Sequence, residues 1–257
     1  MTHSIILRTE NVSRQFGGLA ALTDVSIDIE EGKIHSIIGP NGAGKTTFFN
    51  VLSGRIPSSS GNVHFAGRSI TGLTQYKVAR LGIARSYQIT TIFPKLKVLD
   101  NLMVAGQSGK AFNFWRSSFS FKEDVDRSME LLKMVGLEQK ADLLASQLSH
   151  GEQRYLDIAI ALRTAPKLLL LDEPTAGMSP VETEETVKII RRLAEKLTVV
   201  LVEHKMEMIM KISERITVLH FGQVLAEGTP AEIQANDEVQ RAYLGGGRDK
   251  EELEHPA

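Results

Sequence analysis

The chain contains no cysteine, which removes disulfides, thiolate chemistry and cysteine-based zinc sites together. It has almost no excess of charge: 30 Lys and Arg face 31 Asp and Glu, for a net −1. A basic footprint for nucleic acid is missing, and so is any block of about five like charges. Apolar runs are short. None approaches the roughly 18–20 residues that span a bilayer, and Met1 to Glu10 holds too brief a run for a signal peptide. Any membrane role is therefore expected to come through partners. Repeats and low-complexity tracts are also missing. What is present is an ordinary folded composition, 42% hydrophobic and 24% charged over 257 residues. That is enough for one large domain or two small ones with a sizeable core.

The pattern along the chain changes twice. Leu22 to Ile29 alternates apolar and polar residues, Lys33 to Ile38 runs into a glycine-rich turn, and Asn62 to Phe65 reads as a hairpin arm. From about Thr90 to Ala161 the pattern is mostly helical, with an amphipathic stretch at Asp124 to Val135. Strands then return at Lys167 to Leu171, Leu197 to Val202 and Ile216 to His220, separated by helices. Such alternation predicts parallel βαβ units, an α/β core into which the helical middle is inserted.

Gly39-Pro40-Asn41-Gly42-Ala43-Gly44-Lys45-Thr46, followed by Thr47, fits the phosphate-loop pattern G-x-x-x-x-G-K-[ST]. It sits between the strand Ile34 to Ile38 and a helix from Lys45 to Leu52, the context such a loop requires. Gly42 and Gly44 let backbone N–H groups curl around phosphate oxygens, and the helix N-terminus adds partial positive charge. Lys45 is expected to reach the β- and γ-phosphates, and the Thr46 hydroxyl to bind Mg²⁺.

Leu168 to Leu171 read as a strand buried on both faces, ending in Asp172 and Glu173. Ligands of parallel sheets bind at that end of their strands. Successive side chains point opposite ways, so the two acids take different tasks. Asp172 is expected to hold Mg²⁺ through water and Glu173 to polarise the water that attacks the γ-phosphate. An acidic helix start is the plainer explanation, and the neighbouring phosphate loop argues against it.

Ser149 with Glu152 three residues on forms a capping box before a helix whose apolar face is Tyr155, Ile158, Ala159 and Leu162. The cap alone accounts for these residues. The same hydroxyl, the Gly151 N–H and the helix dipole also make an anion site, which one nucleotide at Lys45 does not need from its own chain.

Leu148-Ser149-His150-Gly151-Glu152-Gln153, standing between the phosphate loop and Leu168 to Pro174, resembles the signature motif of ABC-transporter ATPases, and the resemblance runs over nearly the whole chain. It implies the family's fold: a P-loop NTPase (RecA-like) α/β core, an N-terminal antiparallel β portion, and an α-helical subdomain inserted at about 89–163. One domain would cover 1–244, followed by a flexible tail at 245–257. The resemblance further implies a head-to-tail pair of ATPase subunits, identical or homologous. Ser149, Gly151 and Glu152 of one subunit would close on ATP held by the phosphate loop of the other. By the same resemblance Phe16 stacks on adenine, although a strand-end core residue would explain it too. Gln88 contacts Mg²⁺ and the attacking water, and His204 bonds the γ-phosphate and orients Glu173. Ala176 to Pro180 matches the loop that crosses the dimer, with Ser179 where aspartate is common. Ser179, Pro180 and Glu182 also read as N-cap, first helical residue and N3 partner.

Within the family the chain is similar to the ATP-binding subunits of branched-chain amino acid importers. Phe16 to Leu19, Gly82 to Arg85, Leu96 to Ala105, Glu227 to Pro230 and Arg241 to Gly245 agree with them. That importer group also takes up urea, amides and aromatic acids. Lipopolysaccharide-export ATPases share the C-terminal Tyr-Leu-Gly. A soluble P-loop kinase would explain Lys45 and Asp172 but not the signature, Gln88 or His204. The partners implied are a second ATPase and two transmembrane permeases, at the cytoplasmic face of the cell membrane, and indirectly a solute-binding protein. Nucleic acid is not among them. Phe112, Phe114, Trp115, Phe119 and Phe121, interleaved with Lys110, Arg116 and Lys122, read either as a satellite core or as a docking patch for the permease and lipid headgroups.

Overall fold

A computed structural model describes residues 4–86, 92–107 and 118–248. The chain opens with β1 (Ile5–Phe16), β2 (Leu19–Glu30) and β3 (Ile34–Ile38), turns into α1 (Lys45–Leu52), and continues through β4 (Ser60–Phe65), β5 (Arg68–Ser69), α2 (Gln75–Leu81) and β6 (Ile83–Arg85). Helices α3 (Val98–Gln107), α4 (Ser118–Met134) and α5 (His150–Leu162) follow. The last part runs β7 (Leu168–Asp172), α6 (Pro180–Ala194), β8 (Thr198–Val202), α7 (Met206–Ile212), β9 (Arg215–His220), β10 (Gln223–Gly228), α8 (Pro230–Gln234) and α9 (Asp237–Arg248).

The strands form two sheets. One is antiparallel in the order β2-β1-β4-β5, and the other runs β10-β9-β3-β8-β7-β6. In the second sheet β9, β3, β8, β7 and β6 are parallel to their neighbours, while β10 closes the edge as an antiparallel arm. The four-leucine strand shows why parallel strands read as unbroken apolar runs. Leu168 and Leu170 join the cluster that contains Phe48, Phe49 and Leu52 of α1 and the inner residues of β1 and β2. Leu169 and Leu171 point the other way, into the cluster built on α5 and α6. Val200 and Val202 of β8 divide from Val199 and Leu201 in the same manner. Phe48 and Phe49 are fully buried, and removing each from water contributes roughly 2–3 kcal/mol. The helix that follows the phosphate loop is therefore anchored along its length.

β1 lacks a clean signal in the sequence because its register against β2 shifts repeatedly, and each irregularity breaks the two-residue alternation. Between β6 and β7 the described elements are helical, as the middle of the sequence predicts. The α5 face Tyr155, Ile158, Ala159 and Leu162 is buried. A buried ion pair, Arg163 Nη2 to Asp124 Oδ1 at 2.8 Å, ties the end of α5 to α4. Gly106 makes room for it, since a Cβ there would lie 2.5 Å from the guanidinium. Of the aromatic cluster, Phe112, Phe114 and Trp115 lie outside the described residues, as does the Phe119 side chain; Phe121 on α4 is 60% exposed and belongs to no core. α9 carries the chain to Arg248, beyond Leu244 where the sequence places the end of the domain. No helix among the described residues is long and apolar enough to cross a membrane.

Candidate nucleotide-binding and hydrolysis site

Three adjacent parallel strands, β3, β8 and β7, deliver their carboxyl ends to one place. β3 leads into the phosphate loop, β7 into Glu173, and β8 into Glu203 and His204. A cleft of about 380 Å³ opens there, lined by Phe16, the segment 41–47, Glu173 and His204. Gly39 and Pro40 sit behind it and accept hydrogen bonds from Lys45 through their carbonyls.

The start of α1 is bare. Its N-cap is Gly44, at φ +98°, with no side-chain cap and no acid in the first turn. A Cβ on Gly44 would lie 2.7 Å from the Ala21 carbonyl, so only glycine fits both the space and the backbone angle. The helix dipole and uncapped amides thus face the cleft without competition from the protein's own side chains. Lys45 is buried, with its ammonium 2.6 Å from the Gly39 carbonyl and 2.9 Å from that of Pro40. Burial pushes this ammonium below its usual range, and the charges of Glu173 and Asp172 work against that shift. An arriving phosphate offers a stronger partner than two carbonyls.

Glu173 holds φ +46°, a left-handed conformation that costs a non-glycine residue about 1–3 kcal/mol. Its neighbours enforce it. The Glu173 amide donates to the Val202 carbonyl at 2.9 Å, and the buried guanidinium of Arg154 on α5 donates to the carbonyls of both Asp172 and Glu173. The turn aims the carboxyl into the cleft, where Oε1 lies 2.7 Å from His204 Nε2. Both groups remain reachable from solvent, with side-chain exposures of 23% for Glu173 and 43% for His204. Phe16 is 45% exposed, so it is not a strand-end core residue, and the Arg14 guanidinium covers one ring face at 4.6 Å from the centroid.

Asp172 occupies a different level. It is 4% exposed and does not line the cleft; Oδ2 pairs with Arg85 Nη2 at 2.7 Å. Arg85 also bonds Asn50 of α1 at 2.8 Å, so the guanidinium joins β6, β7 and α1. Gln88 lies outside the described residues.

Ser149, Gly151 and Glu152 do not line this cleft. They form the capping box at the start of α5: the Ser149 hydroxyl accepts from the Glu152 amide at 3.3 Å, and Glu152 accepts from the Ser149 amide at 3.0 Å. Ser149 and His150 are exposed, while Gly151 is buried with its Cβ position 2.9 Å from Glu182. The start of α5 therefore abuts the start of α6, which carries its own box from Ser179 and Glu182, with Pro180 in the first turn.

Four residues at the site escape a reading of the sequence alone: Arg85, Arg154, Glu203 and Lys205. Glu203 had a usable signal. It follows a buried apolar strand, just as Asp172 and Glu173 do, and it is 3% exposed.

In sequence and fold the chain is similar to known proteins. A family described as ABC transporter matches residues 22–176, and one described as branched-chain amino acid ATP-binding cassette transporter matches residues 223–249. The high-affinity branched-chain amino acid transport ATP-binding protein LivG of Salmonella typhimurium is 41% identical, over 93% of this chain and 98% of its own length. BraF of Pseudomonas aeruginosa, which carries the same description, is 39% identical over the same shares. The lipopolysaccharide export system ATP-binding protein LptB of Escherichia coli is 35% identical over 93% of this chain and 97% of its own. Among solved structures, the ADP conformation of an ATP-binding cassette of an ABC transporter superposes with a TM-score of 0.85 and 29% identity, covering 94% of this chain and 99% of that one.

Proposed function

Since the chain belongs to the ABC transporter ATP-binding family, we propose that it is the ATP-hydrolysing motor of an importer for branched-chain amino acids or a related small solute. The observation that carries the hydrolytic part is the 2.7 Å contact between Glu173 and His204 in the cleft lined by the phosphate loop. In this reading Phe16 offers its uncovered ring face to adenine, the uncapped start of α1 and Lys45 bind the phosphates, and His204 holds the Glu173 carboxyl. Glu173 accepts a proton from a water as that water attacks the γ-phosphorus, and ADP leaves with the bridging oxygen. The residues also suit Mg²⁺. Thr46 brings a hydroxyl to the cleft, and the buried Asp172, whose Oδ2 is held by Arg85, could reach the ion only through water; both are hard oxygen donors. Bound there, the ion would neutralise phosphate charge.

The position of Ser149 outside the cleft supports a pair of subunits, identical or homologous, in which each serine-capped helix start closes on the partner's nucleotide. Two permeases at the cytoplasmic face of the membrane would then receive the motion of closing and reopening through the segment around Gln88.

Glu173→Gln tests this directly. ATP affinity should stay within about threefold while turnover falls about 10²–10⁴-fold. The variant should also dimerise with ATP in light scattering. Parental turnover in the variant, or full-speed hydrolysis by wild-type protein dilute enough to be strictly monomeric, overturns the reading.

A further inference from the structure

We propose that Glu203 and Lys205, the two neighbours of His204, are positioning residues that hold the strained turn at Glu173 and so keep its carboxyl on the imidazole. The inference rests on the hydrolytic reading above. A residue at φ +46° stays there only where its surroundings over-determine it. On the upstream side Arg154 supplies the restraint, through the carbonyls of Asp172 and Glu173.

Downstream, the grip is on Thr175. Oε1 of the buried Glu203 accepts the Thr175 amide at 2.9 Å and its hydroxyl at 2.6 Å, while Oε2 accepts the His204 amide at 3.0 Å. Lys205 takes the same turn from the other side. Its ammonium carries three N–H donors, and they meet three oxygens: the Thr175 carbonyl at 3.2 Å, the Met178 carbonyl at 3.3 Å and Thr183 Oγ1 at 3.0 Å. Thr175 is thus held at its N–H, its hydroxyl and its carbonyl by the two side chains that flank His204. The turn from 173 to 178 cannot move against the histidine without breaking these bonds. A compact ammonium suits such a cage of oxygens, and the planar fork of arginine does not.

The test uses the full-length protein and steady-state ATPase kinetics. Lys205→Met should lower kcat about tenfold, with KM for ATP and the Kd of a fluorescent ATP analogue within about threefold. Lys205→Arg should fail to restore the rate. Thr183→Val, which removes one of the three acceptors, should give a smaller fall of the same kind. Glu203→Gln should fall at least as far, because an amide N–H₂ then faces the His204 N–H. The decisive comparison is Lys205→Met in a His204→Ala background, where less than a twofold further loss is expected. Lys205 is exposed, so this pair of variants carries the test even if Glu203→Gln does not fold. Parental kcat in Lys205→Met, or an equal loss in both backgrounds, overturns the proposal. A wild-type chain that does not hydrolyse ATP overturns the hydrolytic reading itself and takes this inference with it.

Discussion

Two helix starts figure in the proposed chemistry of this protein, and they begin in opposite ways. α1 begins on Gly44 with no capping side chain and no acid in its first turn. α5 begins on Ser149 with both halves of a capping box closed and with Glu152 in its first turn. Both ends carry the same partial positive charge from the backbone, so what separates them is the treatment of that charge. At α1 it is left for a ligand, and the stabilisation a cap would give is forgone; α1 is held instead by the full burial of Phe48, Phe49 and Leu52. At α5 the protein's own carboxyl partly answers the charge, and Lys140 in turn pairs with that carboxyl. In the proposed function the first end binds phosphate by itself. The second is capped within its own chain, with an exposed serine at its tip, and in the proposed function meets an anion only where a second subunit brings one.

The sharpest way to break this contrast is to disable the bare end. Lys45→Met removes the buried ammonium that now rests on the Gly39 and Pro40 carbonyls. ATP affinity, followed by titration with a fluorescent analogue, should fall about 100-fold or more and turnover should become undetectable, since charge-assisted bonds to phosphate are lost with nothing to replace them. If Lys45→Met binds ATP at the parental level, α1 is not the phosphate seat.

A smaller and differently shaped effect is expected at the closed end. Ser149→Ala should cost about 1 kcal/mol of stability through the lost cap, and nucleotide binding by dilute protein should stay as in the parent. Turnover should fall about tenfold at concentrations where subunits pair, because in the proposed pair only there would the serine serve a nucleotide. Were binding by dilute protein to fall with turnover, both helix starts would be serving one site in one chain.

How much of this could be read from the sequence follows the same division. Local rules were enough for the phosphate loop, for the four leucines of β7 and for the capping boxes at Ser149 and Ser179, because each is set by neighbours within a few residues. The partners that organise the acids are not local. Arg85 lies 87 positions from Asp172, and Glu203 lies 28 positions from Thr175. No periodicity or motif links residues so far apart before strands β6, β7 and β8 align them. The sequence correctly marks Asp172 as an acid at a strand end, yet it says nothing of the arginine that holds it below the cleft. β1 was obscured for another reason: its shifted register hides the alternation on which strand recognition depends.

The smallest effect is expected at Glu152, and it probes the closed end most finely. Burial works to raise this carboxyl, but hydrogen bonds from Lys140 and from Ser149 prevail and hold it below the usual glutamate range. A folded value below the unfolded one means the ionised form favours folding: the contribution is complete above about pH 4.5 and disappears as pH falls through the folded value. Glu152→Gln keeps an N3 acceptor for the capping box and removes only the charge. At pH 7 it should therefore melt about 1–2 °C below the parent, near 0.5 kcal/mol, and the difference should vanish in strongly acidic buffer, where the parental carboxyl is also neutral. The turnover of paired subunits supplies the other half of the test. Removing a negative charge beside a helix start that, in the proposed pair, meets phosphate should leave KM for ATP no higher than in the parent. A raised KM with unchanged melting would mean that the Glu152 carboxyl is itself a required contact to the partner's nucleotide, beyond its part in capping α5.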